Sequence, residues 1–178
     1  MVKRFWAGIG SRRTPDEFEP MMRDLASVME YLGFILRSGG ADGPDTWFES
    51  GVKNPENKRI YLPWQGFNDH PSQLFGFSQE AEELAQRFHP AWEAIQYKRG
   101  VKALICRNSH QIIGHGDERV NSQIVVCYTP DGQASGGTGQ ALRIAETLGD
   151  IRIYNLYYPE TQQLINQLIR EHLPMINS

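Results

Sequence analysis

Hydrophobic positions along this chain switch repeatedly between short unbroken runs and runs spaced by three and four residues. Phe5 to Ile9, Phe34 to Leu36, Arg59 to Leu62, Gln123 to Tyr128 and Ile151 to Tyr154 have the length and apolar density of buried strands. Between the first two, Met21, Met22, Leu25, Val28, Met29 and Leu32 keep the spacing of one helical face. Ala141, Leu142, Ile144, Ala145 and Leu148 repeat it, and Leu164, Ile165, Leu168 and Ile169 are expected to face inward from a last helix over 160–172. Thr14 and Pro15 suit the start of the first helix, and Gly33 its end. Further helices are expected from about Pro44 to Gly51, over 80–88, and from His89-Pro90 onward. This last one carries Trp92 and Ile95 and breaks near Gly100 before Val101, Leu104, Ile105, Ile112 and Ile113.

Strands that alternate with helices predict an α/β protein, a single-domain Rossmann-like unit over residues 1–178 with a mainly parallel sheet and helices on both faces. In such sheets ligands sit beyond the C-terminal ends of the strands. The long connection over 63–79, with Trp64, Gly66 and Phe67 near its start, is expected to serve as a loop or lid over the site.

Two strand-to-helix junctions are built from glycine: Ser38-Gly39-Gly40-Ala41-Asp42-Gly43-Pro44-Asp45 and Ser135-Gly136-Gly137-Thr138-Gly139-Gln140. Backbone N–H groups and the positive end of a helix dipole converge at such turns, and glycine lets an anion approach without meeting a Cβ. The second turn contains no acid, so a phosphate is expected on Gly136 to Gln140. Asp42 and Asp45 read either as helix caps or as acceptors for ribose hydroxyls. With Glu49 they fall at i, i+3 and i+7, one face of a continuous helix. Arg107 suits bidentate contact with a phosphate or pairing with those carboxylates. Of Arg12, Arg13 and Arg37, which flank strand ends, Arg12 after Gly10-Ser11 is the best ligand candidate. Trp64 and Phe67 either pack on the domain or stack a base.

Composition narrows the choice of ligand. A net charge of −3 lacks the basic excess of a protein that grips a long nucleic acid, so a small molecule is the expected partner and a nucleic acid polymer is not. Cys106 and Cys127 lie among apolar residues without a CxxC partner, no signal peptide is evident, and no apolar run is long enough to span a membrane. These features point to reduced core thiols in a cytoplasmic protein. His70, His89, His110, His115 and His172 lack metal-ligand spacing, so neither a metal nor a cofactor is expected.

Taken in order, Gly8-Ile-Gly-Ser-Arg12, Ser38 to Asp45, Arg107-Asn108 and Ser135-Gly-Gly-Thr-Gly139 resemble the SLOG superfamily of Rossmann-like nucleotide-binding proteins. That superfamily includes DNA-processing protein A, the LONELY GUY phosphoribohydrolases and YspA-like proteins often encoded by phages. The resemblance spans about residues 4–155 and implies a nucleotide-derived ligand held by Gly10, Ser11, Arg12, Ser38, Gly39, Gly40, Asn108 and the 136–140 turn, in a dimer. It also implies that Arg107 matches the phosphoribohydrolase arginine, while Asn108 replaces its lysine, Gln140 its threonine and Arg143 its glutamate. Hydrolysis of an N-glycosidic bond through an oxocarbenium-like transition state wants a carboxylate near the anomeric carbon. Glu49, with Arg107, is the substitute the sequence offers. Three readings follow: a nucleotide site with phosphoribohydrolase-like cleavage, a non-catalytic nucleotide sensor or sponge, and a single-stranded DNA-binding protein of the DNA-processing protein A type.

Overall fold

A computed structural model describes residues 2–177. Strands β1 (Arg4–Gly8), β2 (Phe34–Ser38), β3 (Lys58–Ile60), β4 (Ile124–Cys127) and β5 (Arg152–Asn155) form one sheet in the order β3-β2-β1-β4-β5. Every pairing is parallel, with Trp6 opposite both Leu36 and Ile124. Strand side chains alternate between the two faces. Trp6, Leu36 and Val126 therefore pack on one side against Met22, Leu25, Phe48, Ile165 and Ile169, supplied by α1 (Glu19–Tyr31), α2 (Pro44–Gly51) and α7 (Pro159–Ile176). Ala7, Val125 and Cys127 pack on the other side against Ile112, Ile113, Ala141 and Ile144 from α5 (Arg99–Ile113) and α6 (Gly136–Leu148). There α3 (Gln79–Phe88) lies against both α5 and α6. The single turn α4 (Trp92–Ile95) precedes α5, and the break falls over 96–98, next to the expected position near Gly100. Burying both faces is what makes the central strands read as unbroken apolar runs.

Several local expectations give way to tertiary detail. Helix α1 starts at Glu19 rather than Pro15, because Thr14 Oγ1 donates back to the Ser11 carbonyl (2.6 Å) and Asp16–Phe18 form a 3-10 turn. Pro20 occupies the first turn instead. Strand β3 is shorter than expected, and Leu62 makes a lone bridge to Phe75 that closes the base of the long loop. Leu164 is exposed, while Ile165 and Ile169, four residues apart, are buried and Leu168 packs against the same core from α7. Among the described residues no helix is long and apolar enough to cross a membrane.

Chain direction positions the site. After β1 the chain moves outward to β2 and β3, whereas β4 and β5 lie on the opposite side of β1. The loops leaving β1 and β4 therefore diverge at a topological switch point, where a crevice opens at the C-terminal edge of the sheet. Two backbone bonds, Ile9 N–H to Val126 O (3.1 Å) and Ser11 N–H to Tyr128 O (3.0 Å), carry the β1–β4 pairing beyond the strands and fix the loop that forms the crevice wall.

Candidate functional site: an anion cleft at the switch point

The crevice is a cleft of about 390 Å³. One wall is the loop Ile9–Arg13. The facing wall is the start of α6, residues Ser135 to Thr138, while Leu104, Ile105, Arg107, Asn108 and Gln111 of α5 run along the bottom and Ala41 and Asp45 close one end. The two glycine turns, almost a hundred positions apart in sequence, thus meet across one space. Spacing explains the α5 contribution, since Leu104, Arg107, Asn108 and Gln111 recur at helical intervals along one face.

Helix α6 enters the cleft through its N-terminus. Gly139 N–H is the first of its amides to find an intrahelical acceptor, the Ser135 carbonyl (2.8 Å), which leaves the amides of Gly136, Gly137 and Thr138 as the unbonded first turn. Ser135 supplies no side-chain cap. Gly136 has φ +61°, a backbone that favours glycine, and a Cβ on Gly137 would lie 2.8 Å from Asn108 Nδ2. Arg12 and Arg13 stand exposed at the mouth, and neither makes a salt bridge among the described residues. A helix N-terminus with two unengaged guanidinium groups is an environment for an anion.

The first glycine turn works differently from the second. Its amides are not bare: Asp45 Oδ2 accepts the Ala41 N–H at 3.2 Å, and the Gly39 carbonyl accepts from Arg107 Nη1. Ser38 is fully buried and its Oγ donates to the Gly8 carbonyl (2.7 Å), joining β2 to β1. Ser38, Gly39 and Gly40 therefore shape the cleft without lining it. Gly10 does line it, and its lack of a side chain admits the Pro44 ring, 2.6 Å from where a Cβ would stand.

Arg107 is 3% exposed and acts as a strut. Its Nη1 donates to the carbonyls of Gly39 and Tyr61 (2.7 Å for the latter), and its Nε donates to Asn108 Oδ1 at 3.1 Å. Asp45, 6% exposed, lies nearby. Burial pushes the Asp45 carboxyl up, against the opposing pull of Arg107, the Ala41 amide and Arg12. Burial likewise lowers the Arg107 guanidinium, which the Asp45 charge partly restores.

Four predicted ligand or catalytic residues lie elsewhere. Glu49 is outside the cleft, its carboxylate held between Lys58 Nζ (2.9 Å) and His70 Nε2 (2.9 Å). The expected common face of Asp42, Asp45 and Glu49 fails because Gly43, at φ +91°, breaks the backbone between the two aspartates. Asp42 turns outward and accepts from Asn68 Nδ2 (2.8 Å). Gln140 is completely buried, with Nε2 donating to Ser109 Oγ (3.2 Å), so the anion turn ends before it. Trp64, 43% exposed, belongs to a separate groove of about 640 Å³ with Phe77, Arg99 and Lys102, where it meets Phe67 edge to face. Arg37 is also structural, buried over the Phe5 ring and bonded to the carbonyls of Glu118 and Val120.

The sequence ranked Arg13 below Arg12 and placed Ala41 and Ser135 in the glycine junctions without singling them out as ligands, and Gln111 went unnamed. Gln111 was signalled by its position four residues after Arg107, one helical turn along the same face. Cys106 and Cys127 are free and buried, each thiol pushed up to about 12 chiefly by burial. Among the described residues no group of three or more His, Cys, Asp or Glu side chains is placed to hold a metal.

Fold and site together define a Rossmann-like α/β protein with a cleft at its sheet switch point. No protein-family model and no curated protein sequence matches the chain. Among solved structures it is similar to DNA processing protein A from Helicobacter pylori, described for its single-stranded DNA binding mode. The two share 14% identity over 96% of this chain and 82% of that one, with a TM-score of 0.40. The single-stranded DNA binding described for that protein stands against the expectation that nucleic acid is not a partner. The physical flaw in that expectation is local: a net charge of −3 describes the whole molecule, whereas the cleft mouth carries Arg12 and Arg13.

Proposed function

We propose that this protein binds a nucleotide, holding its phosphate in the cleft between the 9–13 loop and the N-terminus of α6. The observation that carries this reading is the free first turn of a 13-residue helix opening opposite two exposed arginines. Phosphate oxygens would accept from the Gly136, Gly137 and Thr138 amides and from Arg12 and Arg13. Leu104 and Ile105 offer apolar surface within the same space. The reading is capture of a ligand, as in a sensor or sponge. Glu49 is committed to Lys58 and His70, and Arg143, which takes the place of the phosphoribohydrolase glutamate, is tied to the carbonyls of Phe88 (2.7 Å) and Ala134 (2.6 Å).

A second reading, a nucleic acid strand, is favoured by the neighbouring groove. Trp64, Phe77, Arg99 and Lys102 sit beside the same helix α5 and combine aromatic faces with cations, the chemistry of single-strand stacking surfaces. Titration calorimetry with nucleoside 5′-monophosphates tests the first reading, with inorganic phosphate as competitor. Replacing Arg12 and Arg13 by alanine together is expected to weaken binding by about tenfold or more and to flatten its salt dependence. Unchanged affinity in that variant would remove the phosphate assignment. The strand reading requires instead that a labelled oligonucleotide bind at low salt and that Trp64→Ala weaken it.

A further inference from the structure

Gln111 is 3% exposed, lines the cleft, and has a side-chain amide with no hydrogen-bond partner among the described residues. Gln111 lies in the last turn of α5, where its carbonyl accepts from Ser122 Oγ at 2.7 Å, so its side-chain amide is the group it turns to the cleft. A side-chain amide carries two donors and an acceptor, and one that lines a cleft offers them to whatever enters it. An unpaired amide facing a cleft marks the place where a ligand completes the bonding.

The surroundings of Gln111 indicate what that ligand group is. A Cβ on Gly39 would lie 2.6 Å from Gln111 Nε2 and 2.5 Å from Asp45 Oδ2, and would also meet Arg107 Nη1, so three polar side chains converge on this one glycine. Asp45 supplies an acceptor, the Gln111 amide both a donor and an acceptor, and the second terminal nitrogen of Arg107 a donor with no partner among the described residues. A vicinal pair of hydroxyls, each able to donate and accept, matches such a mixed set. A phosphate, carrying close to two negative charges at neutral pH, would face the Asp45 carboxylate. The floor is also one side chain away from the anion cradle. Asn108 accepts from Arg107 Nε, and its Nδ2 abuts Gly137. In a nucleotide the group next to the phosphate is the sugar, with the base further out.

Resting on the nucleotide reading above, we propose that the cleft floor recognises the 2′,3′-diol of a ribose, and that Gln111 is the residue that separates ribonucleotides from 2′-deoxyribonucleotides. A site built to hydrogen-bond a hydroxyl rejects the analogue lacking it, because its own polar groups then stay unpaired.

The test is calorimetry with the four ribonucleoside 5′-monophosphates and their 2′-deoxy counterparts, on the wild-type chain and on Gln111→Met, whose side chain has nearly the same length. The wild-type protein is expected to favour its best ribonucleotide over the deoxy form by about tenfold or more. In Gln111→Met that ratio falls to about one through loss of ribonucleotide affinity, while the deoxy affinity stays within about twofold. Equal wild-type affinity for both sugars, with inorganic phosphate still competing, overturns the diol assignment and leaves the phosphate site standing. A ratio that persists in Gln111→Met overturns the role of Gln111. Failure of every monophosphate to bind overturns both readings. The wild-type comparison decides the diol question even if the variant melts early.

Discussion

His110 offers a measurement in which acid acts chiefly through one buried group, with His89, also lowered by burial, acting more weakly in the same direction. Its ring is buried, Nε2 accepts the Ser78 N–H at 3.2 Å, and Nδ1 lies 3.1 Å from the Gly114 carbonyl. An amide hydrogen directed at Nε2 places the ring proton on Nδ1, donated to Gly114. A second proton would point Nε2–H at the Ser78 amide, whose own side chain caps α3 through Ala81 N–H. Burial therefore lowers the imidazole from 6.5 to about 4, with His115 and Arg119 acting in the same direction and the Gly114 carbonyl and Glu80 opposing. The unfolded chain takes up the proton first as pH falls. Stability from the neutral ring is thus fully present above about pH 6.5 and is lost as pH drops toward about 4. At about 1.4 kcal/mol per unit, the loss between about pH 7 and about pH 4.5 is on the order of 2 kcal/mol. Urea unfolding across that range should show it, and His110→Gln should remove most of the slope. Among the carboxylates, Glu118, held down to about 2 chiefly by Arg59, loses its contribution mainly below this window, while Asp45, raised by burial, works against the loss. A variant slope equal to that of the wild type would refute the assignment of the proton to His110.

Substitutions at two other positions separate scaffold from site. Arg107→Met orphans the buried carbonyls of Gly39 and Tyr61 and leaves Asp45 facing an uncharged neighbour. A loss of about 3 kcal/mol is expected by urea denaturation, and a loss below about 1 kcal/mol would contradict the strut. Arg107→Lys should recover less than half of that loss, since one ammonium cannot span both carbonyls and Asn108. Glu49→Gln weakens the clamp on Lys58 and His70, so it should cost on the order of 1 kcal/mol while leaving nucleotide affinity within about twofold. A tenfold change in affinity in Glu49→Gln would return that carboxylate to the site.

The sequence exposed those features of the molecule that depend on period and chain direction. Strand positions were readable because both sheet faces are buried, and the α5 and α6 helices because Ile112–Ile113 and Ala141–Ala145 repeat the core spacing. That two remote glycine turns share one crevice followed from placing both after parallel strands, where the fold leaves a single edge for ligands. What period cannot reveal is where a side chain goes after the backbone departs from the helix. Gly43 at φ +91° turns Asp42 away from Asp45, and no spacing rule applied across it can hold. Glu49 was lost to the site through partners contributed by β3 and the long loop, which only the tertiary fold brings to it.

Charge was the more instructive failure, because the total misled where the distribution did not. Many of the acids are spent on structure: Glu118 engages Arg59 and Lys3, Glu80 engages Arg119, and Glu30 caps the Lys53–Asn54 backbone. Those pairs neutralise themselves locally and contribute little field at the cleft, beyond a Debye length of about 10 Å at ordinary salt. Arg12 and Arg13 have no such partner, so they set the sign of the potential a ligand meets. Asp45 then acts against that sign at the opposite end of the same space. A ligand that satisfies both ends must itself be divided, anionic where α6 begins and hydroxylic where Gln111 and Asp45 meet. A phosphorylated sugar has that polarity along its length.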